Sequence, residues 1–284
     1  MKNTLYLDFI NWLREDAPHG DLTTELLLDR DVEVYAVVYS RSEALVACIE
    51  DLVGVLEEIG LNVLDYKPSG VFVKPGDRVL EIKGSAKKIL LIERTLLNLL
   101  MYLFGVATTT YLFVREVEKI NPRIRVAATR KVLPGLRYLV KKAVRIGGGD
   151  THRFSLSDAV LIKDNHLKII GSVREAVEKA KRKSFIHRIE VEVESLEDAI
   201  EAAKAGVDVV MLDNMSFKEA RRVVEELKRL GLRDKVLLEI SGGVTLDNIR
   251  EYASLDVDVI STSIITFQPV KIDLSLEIIE VYRR

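Results

Sequence analysis

A dense group of basic side chains lies between Thr129 and His166, and it is the stretch of the sequence best suited to chemistry. Between positions 130 and 153 the only acid is Asp150, whereas the cationic or titratable side chains are Arg130, Lys131, Arg137, Lys141, Lys142, Arg145, His152 and Arg153. The whole chain has a formal net charge of only -2, so this positive charge is local. Clustered cations beside a run of three glycines predict a site for a substrate that carries several negative charges.

Three of these cations have an ordinary structural explanation. Lys141, Lys142 and Arg145 have the spacing of a solvated helix face, and we interpret them in that way. The same explanation does not suit Arg130–Lys131 or His152–Arg153, because each pair lies at the predicted end of an element beside an apolar run. These two pairs are therefore the better candidates for contacts with a substrate.

Composition and length indicate a globular protein and exclude several functional classes. The 284 residues are 48% hydrophobic and 30% charged, which argues against disorder. No apolar run approaches the roughly 20 residues needed to cross a bilayer, so we expect no membrane association. The nearly balanced charge argues against binding to nucleic acid. With Cys48 as the only cysteine and with early acids at the N-terminus, we expect a cytoplasmic protein without disulfides.

The first part of the chain, residues 1–107, predicts a smaller α/β layer. Residues 3–15 have the spacing of an amphipathic helix, 32–40 read as a strand, and the stretch from Leu52 to Gly60 reads as a helix with a glycine stop. Alternation around Pro75-Gly76-Asp77 predicts a β-hairpin, and residues 86–103 predict a long buried helix.

From Ile124 onward, short β-branched runs alternate with amphipathic helices. The runs are IRVAATR, DAVLIKD, RIEVEVE, DVVMLDN, VLLEISGG and DVISTSI. Apolar strands that alternate with helices predict a parallel sheet covered by helices. Six such units are fewer than the eight of a complete barrel, so an open, incomplete barrel fits best, while a flat doubly wound sheet also agrees with the pattern.

Polar or glycine residues follow all six predicted strands, at the edge where α/β folds place their chemistry. They are Arg130–Lys131, Lys163–Asp164, Glu192, Asp213, Ser241–Gly242–Gly243 and Ser261–Thr262–Ser263. Such a set suits transfer from a phosphorylated, pyrophosphate-bearing sugar to a small acid. The cations would hold the acid, the carboxylates a divalent cation or ribose hydroxyls, and the glycine amides a phosphate.

Some members of this set also have structural readings. Glu190, Glu192 and Glu194 have a period of two and share one face, which is either a paired interior row or a solvated edge. Asp213 also suits a cap for the helix that follows, and the two-glycine turn is by itself a weak signal of a phosphate cradle at a helix start.

Blocks spanning nearly the whole chain resemble the quinolinate phosphoribosyltransferase family. In order they are HGDLTTE, ERTLLNLLMYLFGVAT, TRKVLPGLR, AVRIGGGDTHRFSLSDAVLIKDNH, IEVEVESLEDA, VMLDNMS and LEISGGVTLDNI. The resemblance implies an N-terminal α/β sandwich formed by 1–107 and joined by 270–284, followed by an open parallel α/β barrel over 108–269. It also implies a homodimer or larger assembly in which Arg94 reaches the neighbouring subunit's site.

The family's activity implies a role for each matching residue. The implied reaction joins quinolinate to phosphoribosyl pyrophosphate and releases pyrophosphate and carbon dioxide, giving nicotinate mononucleotide for NAD biosynthesis. Quinolinate would contact Arg94, Thr129, Arg130, Lys131, His152, Arg153 and Lys163. Glu192 and Asp213 would hold the ribose and Mg²⁺ and, with Lys131, would be catalytic. The 5-phosphate would contact Ser241, Gly242, Gly243, Thr262 and Ser263.

The segment 261–269 departs from the family pattern. Ser263 stands where the family has a glycine, and Phe267 stands where it has a histidine. A phosphoribosyltransferase with a different acceptor, either nicotinate or the unknown acceptor of the ModD-like pyrophosphorylases, is therefore the alternative hypothesis. A binding protein without activity, built on a barrel scaffold, is a third.

Overall fold

The computed structural model describes residues 2–282, which divide into two compact units. The first unit contains residues 2–109, 134–147 and 269–282, and the second contains 110–133 and 148–268. The sequence placed 134–147 in the barrel, whereas in the structure this segment contacts mainly the first unit.

The described residues form eleven α-helices and twelve β-strands. The helices are α1 (Lys2–Asp16), α2 (Leu22–Leu27), α3 (Ile49–Ile59), α4 (Ala86–Glu118), α5 (Arg137–Ile146), α6 (Asp164–Ile170), α7 (Val173–Lys183), α8 (Leu196–Ala205), α9 (Phe217–Arg229), α10 (Ile249–Ala253) and α11 (Ile264–Phe267). The strands are β1 (Glu33–Ser40), β2 (Ala44–Leu45), β3 (Asn62–Tyr66), β4 (Phe72–Val73), β5 (Arg78–Ser85), β6 (Arg125–Ala128), β7 (Val160–Ile162), β8 (Ile189–Val193), β9 (Val209–Asp213), β10 (Leu237–Ser241), β11 (Val259–Thr262) and β12 (Leu274–Tyr282).

The first unit is built on an antiparallel sheet with the strand order β12-β1-β5-β3. The central strand β1 buries Val34, Ala36, Val37 and Val38, so much of it is enclosed. The last strand, β12, pairs with β1 from Glu33↔Tyr282 to Ser40↔Leu274. The C-terminal end of the chain thus completes a sheet whose other strands come from its first hundred residues.

The hairpin predicted around Pro75-Gly76-Asp77 is wrong. The turn exists, because the Asp77 amide donates to the Lys74 carbonyl at 3.0 Å, but β4 pairs with β2 and not with β5. Both edges of β5 are taken by β1 and β3, and the Gly76 amide donates to the Ser40 carbonyl at 2.8 Å. The turn therefore packs against the end of β1.

Helix α4 is longer than the predicted 86–103. It continues to Glu118 because its apolar positions, including Val106, Ala107 and Phe113, stay buried. By length and composition α4 could cross a membrane, whereas the sequence had led us to expect no helix of this kind. The core helix of a soluble protein can have the same length and composition. In the structure 61% of the most apolar 18-residue stretch of α4 is buried, as expected of the core helix of a folded domain.

Helix α5 carries the cations that we interpreted as solvated, and for Lys141 that interpretation is wrong. Lys141 is only 1% exposed, Lys142 is half-buried and pairs with Asp51 at 2.6 Å, and Arg145 is exposed. Lys141 falls between the buried Val140 and Ala143, so it faces inward with the apolar side of the helix.

The second unit contains a six-stranded parallel sheet with the order β6-β11-β10-β9-β8-β7. Neighbours in this sheet are neighbours in the chain, except that the first strand, β6, pairs with the last, β11. A doubly wound sheet would reverse its strand order at a switch point, and this order has no reversal. Among the described residues β6 and β7 do not pair, so the ring is incomplete and the predicted open α/β barrel is confirmed.

Candidate functional site

The carboxyl ends of five of the six parallel strands, β6 to β10, line a cavity of about 310 Å³ in the second unit. Most of the residues that the sequence singled out line this cavity. They are Thr129, Arg130, Lys131, His152, Arg153, Lys163, Glu192, Asp213, Ser241 and Gly242, together with Leu161, Met211, Asn214 and Glu239.

Strand register places acidic side chains in one row across the sheet. Glu192 of β8 and Glu239 of β10 are both aligned with Met211 of the intervening β9. Because the pleat has a period of two, Glu190 points the same way as Glu192, and both side chains are largely enclosed. Glu194 lies beyond the end of β8 and is exposed. The row is therefore interior for two glutamates and solvated for the third.

Two arginines, Arg130 and Arg153, bring positive charge to the β6–β7 side of the cavity. Arg130 is half-buried, and its Nε has no hydrogen-bond partner. Burial, and then the charge of Arg130, lower the pKa of Arg153. Neighbouring guanidinium groups in a partly desolvated wall favour an anionic ligand, since its charge would offset their repulsion.

Lys163, the residue after β7, forms an ion pair with Glu192 of the neighbouring strand β8. The backbone amide of Lys163 donates to His166 Nδ1 at 3.0 Å, which fixes the turn into α6. The lysine side chain is 43% exposed, so its ammonium group also borders the open part of the cavity. This pair joins the cationic wall to the acidic row.

His152 lies deeper and contacts two acidic side chains. Its Nε2 is 3.3 Å from Glu190 Oε2 and 3.3 Å from Glu239 Oε2. Burial disfavours the imidazolium, but hydrogen bonds to the two carboxylates and their charges outweigh it and raise the pKa of His152 to about 10. His152 is therefore a cation at neutral pH.

Asp213, the last residue of β9, is held by the residue that follows it. Asn214 donates from Nδ2 to Asp213 Oδ2 at 2.8 Å, and its backbone amide donates to the Ser241 carbonyl at 2.8 Å. Burial, and then the negative charge of Glu192, raise the pKa of Asp213. The reading of Asp213 as a helix cap is wrong, because Ser216 caps α9 and accepts from the Glu219 amide.

The glycine pair after β10 turns the chain in a way that favours glycine, with φ of 83° at Gly242 and 65° at Gly243. A loop follows rather than a helix start, since α10 begins only at Ile249. Asn248 closes this loop by donating from Nδ2 to the Gly243 carbonyl at 2.9 Å. The backbone at Gly242 lines the cavity, so an amide contact with a phosphate needs no helix terminus.

Comparison with known proteins assigns the chain to a family. Residues 21–104 match the profile described as quinolinate phosphoribosyl transferase, N-terminal domain, and residues 106–277 match that of the C-terminal domain. The chain belongs to the quinolinate phosphoribosyl transferase family.

Relatives of this transferase family match over nearly their whole length. The chain is 48% identical to a probable carboxylating nicotinate-nucleotide pyrophosphorylase of Methanothermobacter thermautotrophicus, over 94% of this chain and 96% of that protein. It is 34% identical to the human carboxylating nicotinate-nucleotide pyrophosphorylase, over 94% and 89%. The crystal structure of NadC from Streptococcus pyogenes superposes with a TM-score of 0.89, at 33% identity and over 100% and 99% of the two chains.

Four residues implied by the family resemblance do not line the cavity. Arg94 is exposed on α4 and belongs to the first unit, and Gly243 follows the cavity-lining Gly242. Thr262 is buried and donates from Oγ1 to the Val244 carbonyl at 2.9 Å, and Ser263 is the N-cap residue that precedes α11. The Thr262 hydroxyl thus supports the glycine loop within the protein.

Two polar residues of the cavity, Glu239 and Asn214, were missed by the sequence reasoning for this transferase. Glu239 had a signal, because it lies two positions before Ser241 on the same strand and must point to the same face. Asn214 adopts φ of 53°, and nothing in the pattern of the following helix indicated that it would turn back onto Asp213.

Two sets of side chains in this transferase could hold a cation. Glu192 and Asp213 offer carboxylate oxygens on neighbouring strands, and both line the cavity, which suits Mg²⁺. Among residues 2–282, one group of three possible ligands, His152, Glu190 and Glu239, has its ligand atoms within 4.8 Å of one another.

Proposed function

We propose that this protein is a carboxylating nicotinate-nucleotide pyrophosphorylase. It transfers phosphoribose from phosphoribosyl pyrophosphate to quinolinate and releases pyrophosphate and carbon dioxide. One observation supports this function best: cations suited to a dicarboxylate and carboxylates suited to a sugar phosphate border the same 310 Å³ cavity. A binding protein without activity would not need both the cations and the carboxylates around one cavity.

The acceptor fits the cationic side of the cavity. Quinolinate carries two adjacent carboxylates, and Arg130 and Arg153 offer guanidinium groups for bidentate contacts while Lys163 offers a point charge. Thr129, Lys131 and His152 complete this side. The atypical residues Ser263 and Phe267 are outside the cavity lining, so they do not argue for another acceptor.

The donor fits the acidic side. Glu192 and Asp213 would bind the ribose hydroxyls and the Mg²⁺ that accompanies the pyrophosphate, since Mg²⁺ favours one or two carboxylates together with phosphate oxygens. Ser241 and the Gly242 amide, which line the cavity, would bind the 5-phosphate. Gly243, Thr262 and Ser263, which the family resemblance also assigns to this phosphate, lie outside the cavity lining. Bound Mg²⁺ would supply neutralisation of the charge on the leaving pyrophosphate.

In the proposed reaction the side chains orient two substrates and stabilise charge. The acceptor nitrogen attacks the anomeric carbon as the bond to pyrophosphate breaks, and the ribose passes through an oxocarbenium-like state that Glu192 or Asp213 stabilises electrostatically. Lys131, exposed beside the cavity, would offset charge on the departing pyrophosphate. The carboxylate on the adjacent ring carbon then leaves as carbon dioxide, and the electron pair of the broken bond stays on that carbon. The positive charge on the pyridinium nitrogen stabilises this pair until the carbon takes up a proton.

A homodimer or larger assembly is part of this proposal, with Arg94 contributed across the interface. Arg94 is exposed, and Leu22, Leu26 and Leu27 of α2 are 68%, 72% and 75% exposed, which supports a covered surface in the assembly. The buried free thiol of Cys48 is consistent with a cytoplasmic enzyme.

Measuring pyrophosphate and nicotinate mononucleotide formation tests the function. Quinolinate should give both products with Mg²⁺ and neither after chelation, whereas nicotinate should give none; turnover of nicotinate alone would establish the alternative acceptor. Lys131→Ala should lower turnover at least about tenfold, while Lys179→Ala on the outer helix α7 should not. An unchanged rate in Lys131→Ala would contradict its catalytic role.

Subunit mixing tests the position of Arg94. Inactive Arg94→Ala and Asp213→Ala chains, refolded together, should regain roughly a quarter of wild-type activity, since half of the dimers are mixed and each has one intact site. If Arg94 served its own chain's site, mixing would restore nothing.

A further inference from the structure

Two buried glutamates converge on one nitrogen of His152. Glu190 is 5% exposed and Glu239 is 2% exposed, and each has its Oε2 at 3.3 Å from His152 Nε2. They come from β8 and β10, which are separated by β9, so they approach the ring from different strands. Neither residue has a role in the reaction described above.

We propose that Glu190 and Glu239 are positioning residues that clamp the His152 ring through Nε2 and thereby present its other nitrogen, as a hydrogen-bond donor, to a carboxylate of the acceptor. This inference rests on the proposed function for the identity of the acceptor. The clamp itself is a property of the protein without substrate.

The backbone around His152 supports a fixed ring. His152 has φ of 51°, an uncommon conformation for a residue other than glycine, and its amide donates to Asp150 Oδ1 at 2.8 Å. The peptide is thus held on one side by Asp150, and the ring is held on the other side by two carboxylates. A side chain so constrained at both ends is pre-organised for a directional contact.

Stability alone does not explain the two acids. Each retains a buried oxygen, Oε1, without a hydrogen-bond partner, and unpaired buried carboxylate oxygens are costly. Apolar side chains of similar volume would fill the same space without this cost. The acids are therefore best explained by what they do to the imidazole.

Their effect on the imidazole is to keep it charged. Buried among apolar groups, a histidine would be neutral at pH 7, whereas the hydrogen bonds that His152 donates to these two acids raise its pKa to about 10. The other charged groups near it in the chain are Asp150, which binds its amide, and Arg153. A charged imidazole donates from both ring nitrogens, so the nitrogen that the two acids do not contact is available as a donor to the acceptor.

Nuclear magnetic resonance of the imidazole ¹⁵N nuclei in the substrate-free protein tests the clamp directly. We expect His152 to stay protonated up to pH 8.5 and to keep this signature after treatment with a chelator. A neutral His152 at pH 8, or a resonance that moves on chelation because a metal ion held by the three side chains is removed, would overturn the inference. This readout needs no variant and no turnover.

Glutamine substitutions then connect the clamp to substrate binding. In the Glu190→Gln/Glu239→Gln double variant the pKa of His152 should fall to its ordinary 6.5 or below. At pH 8 only about 3% of the imidazole would then be protonated, so KM for quinolinate should rise on the order of thirtyfold and about tenfold per further pH unit. KM for phosphoribosyl pyrophosphate should change little.

The matched control is Glu194→Gln, which removes an exposed carboxylate just beyond the same strand and should leave both KM values unchanged. If the double variant folds and keeps a pH-independent KM for quinolinate, the positioning role is wrong. If His152 loses its charge in the double variant but wild-type protein does not use quinolinate, the clamp stands and the proposed function fails.

Discussion

Replacing Gly242 by alanine tests how tightly the end of β10 is built against Asp213. A Cβ at Gly242 would lie 2.7 Å from Asn214 Cγ and 3.0 Å from the Asn214 backbone nitrogen, distances at which one group must move. At the next residue, Gly243, a Cβ would meet nothing within 4 Å. Both glycines have positive φ, so the two substitutions share the same kind of backbone strain.

The difference between the two variants isolates the steric effect. Alanine in a left-handed conformation costs about 1 to 2 kcal/mol, which is the whole expected loss for Gly243→Ala. Gly242→Ala adds an overpacking cost of about 1 to 3 kcal/mol, for a total loss of about 2 to 5 kcal/mol. Urea-induced unfolding of both variants, monitored in parallel, measures this difference as a change in the free energy of unfolding.

The steric clash at Gly242 should also disturb the cavity through Asn214. Asn214 can relieve it only by moving, and Asn214 is the residue that hydrogen-bonds Asp213 at 2.8 Å. We therefore expect Gly242→Ala to lower kcat much more than Gly243→Ala does. Equal free energies of unfolding together with equal kcat values would refute this account of the turn.

Three further predictions concern other side chains. Asp213→Asn should lower turnover on the order of a hundredfold yet raise stability at pH 7. Burial and the charge of Glu192 raise the pKa of Asp213 above its ordinary 3.8, so the ionised carboxylate destabilises the fold. In pH-dependent denaturation the gain in stability should decline as pH falls through the raised pKa and vanish below 3.8. Burial raises the pKa of Cys48, so the native thiol should resist alkylation and react only after unfolding, as mass spectrometry would detect. Arg233→Met should lower the free energy of unfolding by about 3 kcal/mol in chemical denaturation. The reason is that this arginine, 7% exposed, donates to Asp258 Oδ2 at 2.9 Å, and its loss leaves that carboxylate without its cation. A decrease below about 1 kcal/mol would contradict this prediction.

The structure of the second unit could be predicted from the sequence better than that of the first. Strands such as β8 and β9 lie between helices and are apolar enough to be recognised locally, and parallel topology places their carboxyl ends together. Hence Glu192 and Asp213 could be predicted at one cavity from spacing alone. The failed hairpin has a different cause: which strand occupies the edge of β5 is decided by distant residues of β1 and β3, and no local pattern encodes that choice.

Side-chain environments were harder to predict than strand positions. Lys141 was predicted to be solvated because lysine is usually exposed, although its position lies on the apolar face of α5. Glu239 was overlooked since a single acid in an apolar run gives no periodicity of its own, and its partner His152 is remote in sequence. Contacts of this kind depend on strand order, which becomes known only when the sheet is assembled.

The ion pair between Lys163 and Glu192 has a consequence for how two substrates would share the cavity. Under the proposed function Lys163 binds the acceptor and Glu192 binds the donor. In the protein without substrates the two side chains bind each other instead. A donor that binds Glu192 breaks the ion pair and leaves the Lys163 ammonium group uncompensated, so this group attracts the acceptor more strongly. An acceptor that binds Lys163 has the same effect on the binding of the donor, since coupling between two ligands is reciprocal. Joint occupancy would thus be favoured over half-filled states, without any movement of the strands that carry the two side chains.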